Sequence, residues 1–256
     1  RYGTLLGLLV IMLIFSILAP HTFPTVRNLI NISQQIALLA IIATGATVVM
    51  ALREFDLSVG SVASFGGVLA TGLVIQGWPI AAAIGVTLAV AFLFGLLNGF
   101  LITRFRVFSF IVTLATGTSL AGVTFWYTGG TTLFSGIPRS YLWLGQARVA
   151  GLPVLSGLML VVLVLFWFLL THVEWGRRIY AIGGNPVAAR FAGISVARDM
   201  TLAFGAASTV AALTGIGLAS RLGSAHPTAG EGFLLQAYPA VRSEEHTSEL
   251  QSLRHL

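Results

Sequence analysis

The feature that most limits the fold of this chain is a succession of apolar runs separated by short polar stretches. Seven such runs can be drawn: Gly3–Ala19, Gln35–Leu52, Leu57–Gln76, Pro79–Ile102, Val107–Tyr127, Leu152–Thr171 and Met200–Ser220. A helix needs about 20 apolar residues to cross the hydrocarbon of a bilayer, and several of these runs approach or exceed that length. Barrel strands would instead alternate over about 10 residues, which these runs do not. The expected fold is therefore all-α, a polytopic transmembrane helix bundle with about seven spans, the third being the weakest because it is rich in Gly and Ser. Only 9% of the residues are charged and the mean hydropathy is +0.92, against about 25% charged in an ordinary soluble domain. A soluble enzyme and a secreted module are both excluded.

A net charge of +6 would suggest nucleic acid in a soluble protein, but here the basic residues sit in short loops between spans, where they set orientation. No nucleic-acid partner is expected. If the loop Glu174–Asp199 is cytoplasmic, alternation places eight arginines inside (1, 53, 104, 106, 177, 178, 190, 198) and four outside (27, 139, 148, 221). That distribution puts the N-terminus in the cytoplasm. There is no cysteine and no lysine, so neither a Cys-ligated metal site nor a P-loop of the usual form is available. No metal site, bound cofactor or catalytic cluster is expected, and energy has to come from another chain. No charged residue lies well inside a span, where it would mark an ion path, so the cargo is expected to be uncharged and proton coupling is disfavoured.

The loop Glu174–Asp199 is the longest polar interruption among the clearly apolar spans. Within it Gly183-Gly184 reads as a flexible lead, Asn185 as an N-cap, Pro186 as the first helical residue and Gly193 as a terminator. A helix of about two turns is marginal in water and would be stabilised by a partner or the membrane surface, with Val187 and Phe191 on one side and Arg190 free for a carboxylate. On these features alone a mere connector is the simpler explanation. Asp56 reads as a cap at the start of the third span, accepting N–H bonds from Ser58 or Val59 in a wetted turn, with a buried helix break lining a cavity as the alternative. Asn98, Thr113, Thr116 and Thr118 offer hydroxyl and amide groups to a polar solute, though such residues often bond their own helix. The segment Thr128–Gly151 is the longest outer loop, with Tyr141 and Trp143 placed as interfacial anchors. Small residues four apart (Gly3/Gly7, Gly95/Gly99, Gly117/Ala121) allow close helix approach.

Three groups of residues carry a resemblance. Gly176-Arg177, Tyr180 to Asn185, Ala188-Ala189-Arg190 and Gly193-Ile194 resemble the signature loop of ABC transporter permease subunits of the ribose and simple-sugar importer branch. Asp56-Leu57-Ser58-Val59-Gly60-Ser61 resembles that family's Asp-Leu-Ser-Val-Gly motif, and Phe110 to Leu114 with Gly117-Thr118 its next block. A further segment, Arg221, Ser224, Pro227, Ala229-Gly230 and Gly232, is similar to the stretch after the signature loop. The lead before Asp56 departs from the family's Gly-Gly-Ile-like pattern, being Arg53-Glu54-Phe55. The resemblance covers residues 1–241, which form one transmembrane permease domain expected to be incomplete at its C-terminus. Residues 242–256 resemble the conceptual translation of a sequencing-library adapter and are set aside as a non-native tail.

What the resemblance implies is a permease subunit of an ATP-driven importer for a simple sugar such as ribose or a related monosaccharide, in the bacterial inner membrane. Gly183, Gly184, Asn185, Pro186, Ala188, Ala189, Arg190 and Gly193 would couple it to a cytoplasmic ATP-binding subunit, and ATP would be used there. A second permease copy and an extracytoplasmic sugar-binding protein are the other implied partners. The alternative is an ion-coupled secondary carrier or facilitator for a small polar solute.

Overall fold

The computed structural model describes residues 3–242; the segment set aside as non-native lies outside the described residues but for Arg242. The helices run α1 Gly3–Leu18, α2 Val26–Ala51, α3 Val59–Ile75, α4 Ile80–Phe105, α5 Ser109–Thr128, α6 Arg139–Gln146, α7 Val154–Thr171, α8 Glu174–Gly184, α9 Pro186–Phe191, α10 Val196–Leu222 and α11 Glu231–Arg242. Two-residue strands β1 Arg148–Val149 and β2 Leu152–Pro153 form an antiparallel hairpin between α6 and α7. The architecture is the all-α helix bundle expected, with α2, α4, α5, α7 and α10 long and apolar enough to cross a membrane.

Each of the seven apolar runs is a helix, but two begin earlier than hydropathy suggests. Helix α2 starts at Val26, because Thr25 caps it by accepting the Asn28 N–H at 3.3 Å. Polar residues such as Asn28, Asn31, Ser33 and Gln34 ride on this added length, which an apolar count omits. Helix α10 starts at Val196, ahead of the apolar run, with Asp199 in its first turn, where a carboxylate favours the dipole.

Helix α10 is the axis of the bundle, packed against α2, α3, α4 and α6. It is buried around most of its circumference, which identifies a core helix rather than a lipid-facing one. Close approach is what allows this. Gly215 lies against the backbone of Ala63 and Gly67, Gly66 against Ala212, Gly95 against Phe204 and Gly205, Gly99 against Thr201, and Gly45 against Ala207. None of these positions has room for a side chain larger than hydrogen without movement. Small faces of this kind bring backbones together where lipid supplies no hydrophobic drive for helix association. The Gly95/Gly99 pair thus packs as expected, and Gly117 lies against Ser58. Gly7 instead faces open space, and α1 exposes Leu6, Leu9, Leu13, Ile17 and Leu18, so Gly7 joins no packing seam among the described residues.

The loop between α5 and α7 does more than anchor. Tyr141 is buried, not interfacial: its phenol bonds the Thr71 hydroxyl at 3.2 Å, and burial pushes its pKa up to about 12. The Ser220 hydroxyl donates to the Tyr141 carbonyl at 2.8 Å and accepts the Gly145 N–H at 2.7 Å. Helix α6 therefore closes one end of the bundle over α3 and α10, while Trp143 stays exposed.

Because Gly215 has no space for a Cβ, Gly215→Val should overpack the α3–α10 contact, at a cost of ~1–3 kcal/mol. Gly122→Val, where nothing lies within 4 Å, should be neutral. Thermal denaturation of the detergent-solubilised protein, followed by size-exclusion chromatography, separates the two.

Candidate coupling surface and polar turn

Helices α8 and α9 and the ends of α2, α4, α7 and α10 make up the end of the bundle opposite α6. Asn185 is the N-cap expected of it: its Oδ1 accepts the N–H groups of Val187 and Ala188, both at 3.0 Å, with Pro186 in the first turn. Gly193 closes the element at a φ of +83°, a backbone region that glycine enters without strain. The expected lead is different, however. Gly183 and Gly184 are not a flexible linker but the last turn of α8, and Gly183 presses on the Ala51 carbonyl so closely that no Cβ fits. A helical pair of glycines was hidden because the same residues signal loops in most contexts. Glu174 and Arg178, one turn apart on α8, form an ion pair of 2.9 Å.

The two sides of α9 are unequal. Ala189 is buried against the core cluster around Val196 and Met200, whereas Val187 is 62% and Phe191 89% exposed. Ala188 and Arg190 are exposed as well. Ala189 is thus the foot of the helix and Phe191 its outward tip. Beside it, a cleft of about 310 Å³ separates Arg190 from Glu54, Arg106 and Phe108, and Phe108 is 80% exposed. Arg53 and Arg106 hold left-handed φ values of 60° and 54°, uncommon for residues with a side chain. A second cleft lies between α8 and the start of α10, lined by Arg177, Arg178 and Arg198.

The turn between α2 and α3 lies just inside this end, and its Asp56 and Ser58 are buried rather than wetted. Asp56 has no exposure; its Oδ1 accepts the Ser58 N–H at 2.9 Å and the Ser58 hydroxyl at 2.5 Å. Asp56 is therefore the pivot of a turn ahead of α3, and Ser58 occupies the cap position itself. Asn98 from α4 donates to the Ser58 Oγ at 3.2 Å. Thr113 from α5 accepts the Leu57 N–H at 2.9 Å and donates to the Ser109 carbonyl at 2.8 Å, while the Ser109 Oγ accepts the Phe55 N–H at 3.1 Å. Asn98 and Thr113 are both fully buried, and their partners are this turn. Thr116 and Thr118 bond carbonyls of their own helix, to Val112 and Leu114, and do not join it. Of the four polar residues singled out in the spans, two converge and two stand apart.

A further junction was not legible in advance. Gly230, ahead of α11, donates its N–H to the Ser64 Oγ at 2.9 Å and lies directly on the Gly60 carbonyl. After α10 the chain first bridges Ala225 to Leu133 through paired bonds of 2.8 and 2.9 Å. It then dips between the helices to the level of Gly60 and Ser64. Non-helical backbone at such depth is tolerated only where protein or a wet cavity satisfies it. The glycines at 60 and 230 were the available signal.

These features define a class: a polytopic helical membrane protein with a capped, outward-facing helix at one end of a close-packed bundle. The chain belongs to the family described as branched-chain amino acid transport system / permease component, whose model matches residues 28–241. It is 37% identical over 241 residues to the ribose import permease protein RbsC of Escherichia coli (strain K12), covering 93% of this chain and 75% of that protein. To RbsC of Bacillus subtilis (strain 168) it is 38% identical over 242 residues, covering 94% and 75%. To the D-allose transport system permease protein AlsC of Escherichia coli (strain K12) it is 33% identical over 235 residues, covering 91% and 72%. No solved structure matches the chain. These relatives do not favour the ion-coupled carrier weighed above.

Replacing Ser58 by Ala removes a donor to Asp56 and the acceptor of Asn98, leaving a buried amide short of a partner at a cost of ~1–3 kcal/mol. Ser58→Ala should lower the melting temperature, and Thr118→Ala, at an exposed hydroxyl, should leave it unchanged.

Proposed function

We propose that this chain is the transmembrane permease subunit of an ATP-driven importer for a simple sugar such as ribose or a related monosaccharide, in the bacterial inner membrane. The observation that carries the coupling part of this reading is the build of α9. It is capped at Asn185, footed by buried Ala189, and tipped by Val187 and Phe191, whose apolar surface is left uncovered. A six-residue helix gains little from its own hydrogen bonds, so its fixed position and exposed aromatic suit a groove in another protein. A cytoplasmic ATP-binding subunit fills that role, and Arg190 stands ready for a carboxylate on it. The N-terminus and the α8–α9 end then lie in the cytoplasm, as the arginine distribution favours. A second permease copy completes the transmembrane unit, and a sugar-binding protein delivers cargo at the α6 end. The similarity to ribose and allose permeases supports the choice of cargo class.

Mechanically, a push on Phe191 is transmitted through Ala189 to Val196 and Met200 at the base of α10. That helix is the axis against which α2, α3 and α4 pack, so a tilt there moves all three. The turn held by Asp56 and Ser58 ties α3 to α4 through Asn98 and to α5 through Thr113, which makes these helices move as a block.

Phe191→Glu places a charge at the centre of the docking face and should weaken association with the ATPase by at least tenfold, with membrane insertion and melting temperature unchanged. Co-purification and ATP-dependent sugar uptake in proteoliposomes measure both. Sugar uptake sustained by the permease without any ATPase would overturn the reading. Ala189→Glu is a poorer probe, since its side chain points into the core and the substitution should lower the melting temperature as well.

A further inference from the structure

Helix α4 carries two faces of opposite character. The inner one sets Gly95 and Gly99 against α10. The outer one exposes Val86, Val90, Leu93, Leu97, Phe100 and Arg104, which recur three and four residues apart and so form a single stripe along the helix. At a rise of 1.5 Å per residue the stripe is about 27 Å long, close to the ~30 Å thickness of the hydrocarbon, so a guanidinium at its end stands in the headgroup layer. The apolar members of the stripe are large. A face meant for another helix would be built from small residues, as the inner face is, so this one is covered by lipid tails. Arg104 takes part in neither of the ion pairs formed among the described residues. It also stands apart from the coupling surface, since Arg106, and not Arg104, lines the cleft beside α9. On α7 the corresponding exposed series, Leu160, Val164, Trp167 and Thr171, ends without a charge.

Resting on the membrane-permease reading above, we propose that the end of α4 holds one anionic glycerophospholipid, with its phosphate against Arg104 and an acyl chain along the stripe. The guanidinium is a planar fork that bonds two phosphate oxygens at once. A zwitterionic lipid carries the same phosphate but brings its own cation beside it, which offsets the attraction of the arginine; a lipid with net negative charge does not. The turn from α4 to α5 spans only residues 106–108, too short to lift Arg104 out of the headgroup layer, and the exposed rings of Phe105 and Phe108 add apolar surface at the level of the glycerol. An arginine that only sets orientation could stand anywhere around the helix end. This one continues the lipid-facing stripe, so contacts to head and tail fall in register for a single molecule. Because α4 packs along α10, the bound lipid steadies the foot of one of the helices that a tilt of α10 would move.

The test is native mass spectrometry of the permease released from micelles that contain equal amounts of phosphatidylglycerol and phosphatidylcholine with identical acyl chains. The wild type should retain one phosphatidylglycerol with a preference of at least about fivefold, and Arg104→Gln should bring that preference below about twofold. Arg139→Gln, which removes the same charge at the α6 end, should leave it unchanged. Leu97→Ala combined with Phe100→Ala should weaken retention of both lipids together while keeping the headgroup preference. Millimolar glycerol 3-phosphate should not displace the lipid. Equal retention of the two lipids by the wild type, an equal loss in Arg104→Gln and Arg139→Gln, unchanged retention in the double variant, or displacement by the free phosphate ester would overturn the site. Weaker co-purification of the ATPase with Arg104→Gln at an unaltered lipid preference would overturn it too, by assigning Arg104 to the docking face. Retention is read on the permease alone, so its outcome decides the site whether or not transport is seen; absence of ATP-dependent uptake of any monosaccharide by the complete transporter sinks only the permease reading.

Discussion

The structure depends first on backbone-to-backbone contact along α10. A bundle in lipid gains nothing from excluding apolar side chains from an already apolar solvent, so its helices cohere by dispersion at close range and by interhelical hydrogen bonds. Glycines at 45, 66, 95 and 99 on the surrounding helices, and 205 and 215 on α10 itself, shorten those distances at the points of contact. Removing even one would separate two helices and, through α10, loosen the rest. The same central position makes α10 the natural conduit between the α9 end and the α6 end.

Close packing has a second consequence, because it lets non-helical backbone survive at depth. The turn between α2 and α3 and the dip before α11 both interrupt regular structure inside the bundle. Each is satisfied by side chains: Asp56, Ser109 and Thr113 for the first, Ser64 for the second. They meet where Gly60 touches Gly230. A motif that reads in sequence as a capped helix start is thus one half of a joint, and the other half arrives from residues 170 positions later.

How much of the site was legible follows from the range of the interactions involved. The cap at Asn185, the proline after it and Gly193 act within one or two turns of chain, so local pattern revealed them with their correct roles. Gly183-Gly184 misled, since whether a glycine pair is loop or helix depends on what lies against it, here the Ala51 carbonyl. Tyr141 misled for the same reason: an aromatic ring in a loop between spans reads as an interfacial anchor until Thr71 and Ser220 are found beside it. Asn98 and Thr113 were picked out as polar residues in spans, but their partners on the Asp56 turn lie far away in the chain.

The sequence by itself determined that the chain is a helical membrane bundle, which runs are apolar helices, where a capped helix stands between two of them, and which family the motifs belong to. These rest on hydropathy, on charge and on residue types at short spacing, all of them local quantities. Only the tertiary structure decided that α10 is the axis, that Ala189 is buried while Phe191 points outward, that Asp56 is buried, and that residues 223–230 return into the bundle beside Gly60 and Ser64. Each of these depends on which faces meet across the bundle, and in lipid that is chosen by shape and hydrogen bonding between distant segments, which no single stretch of sequence encodes.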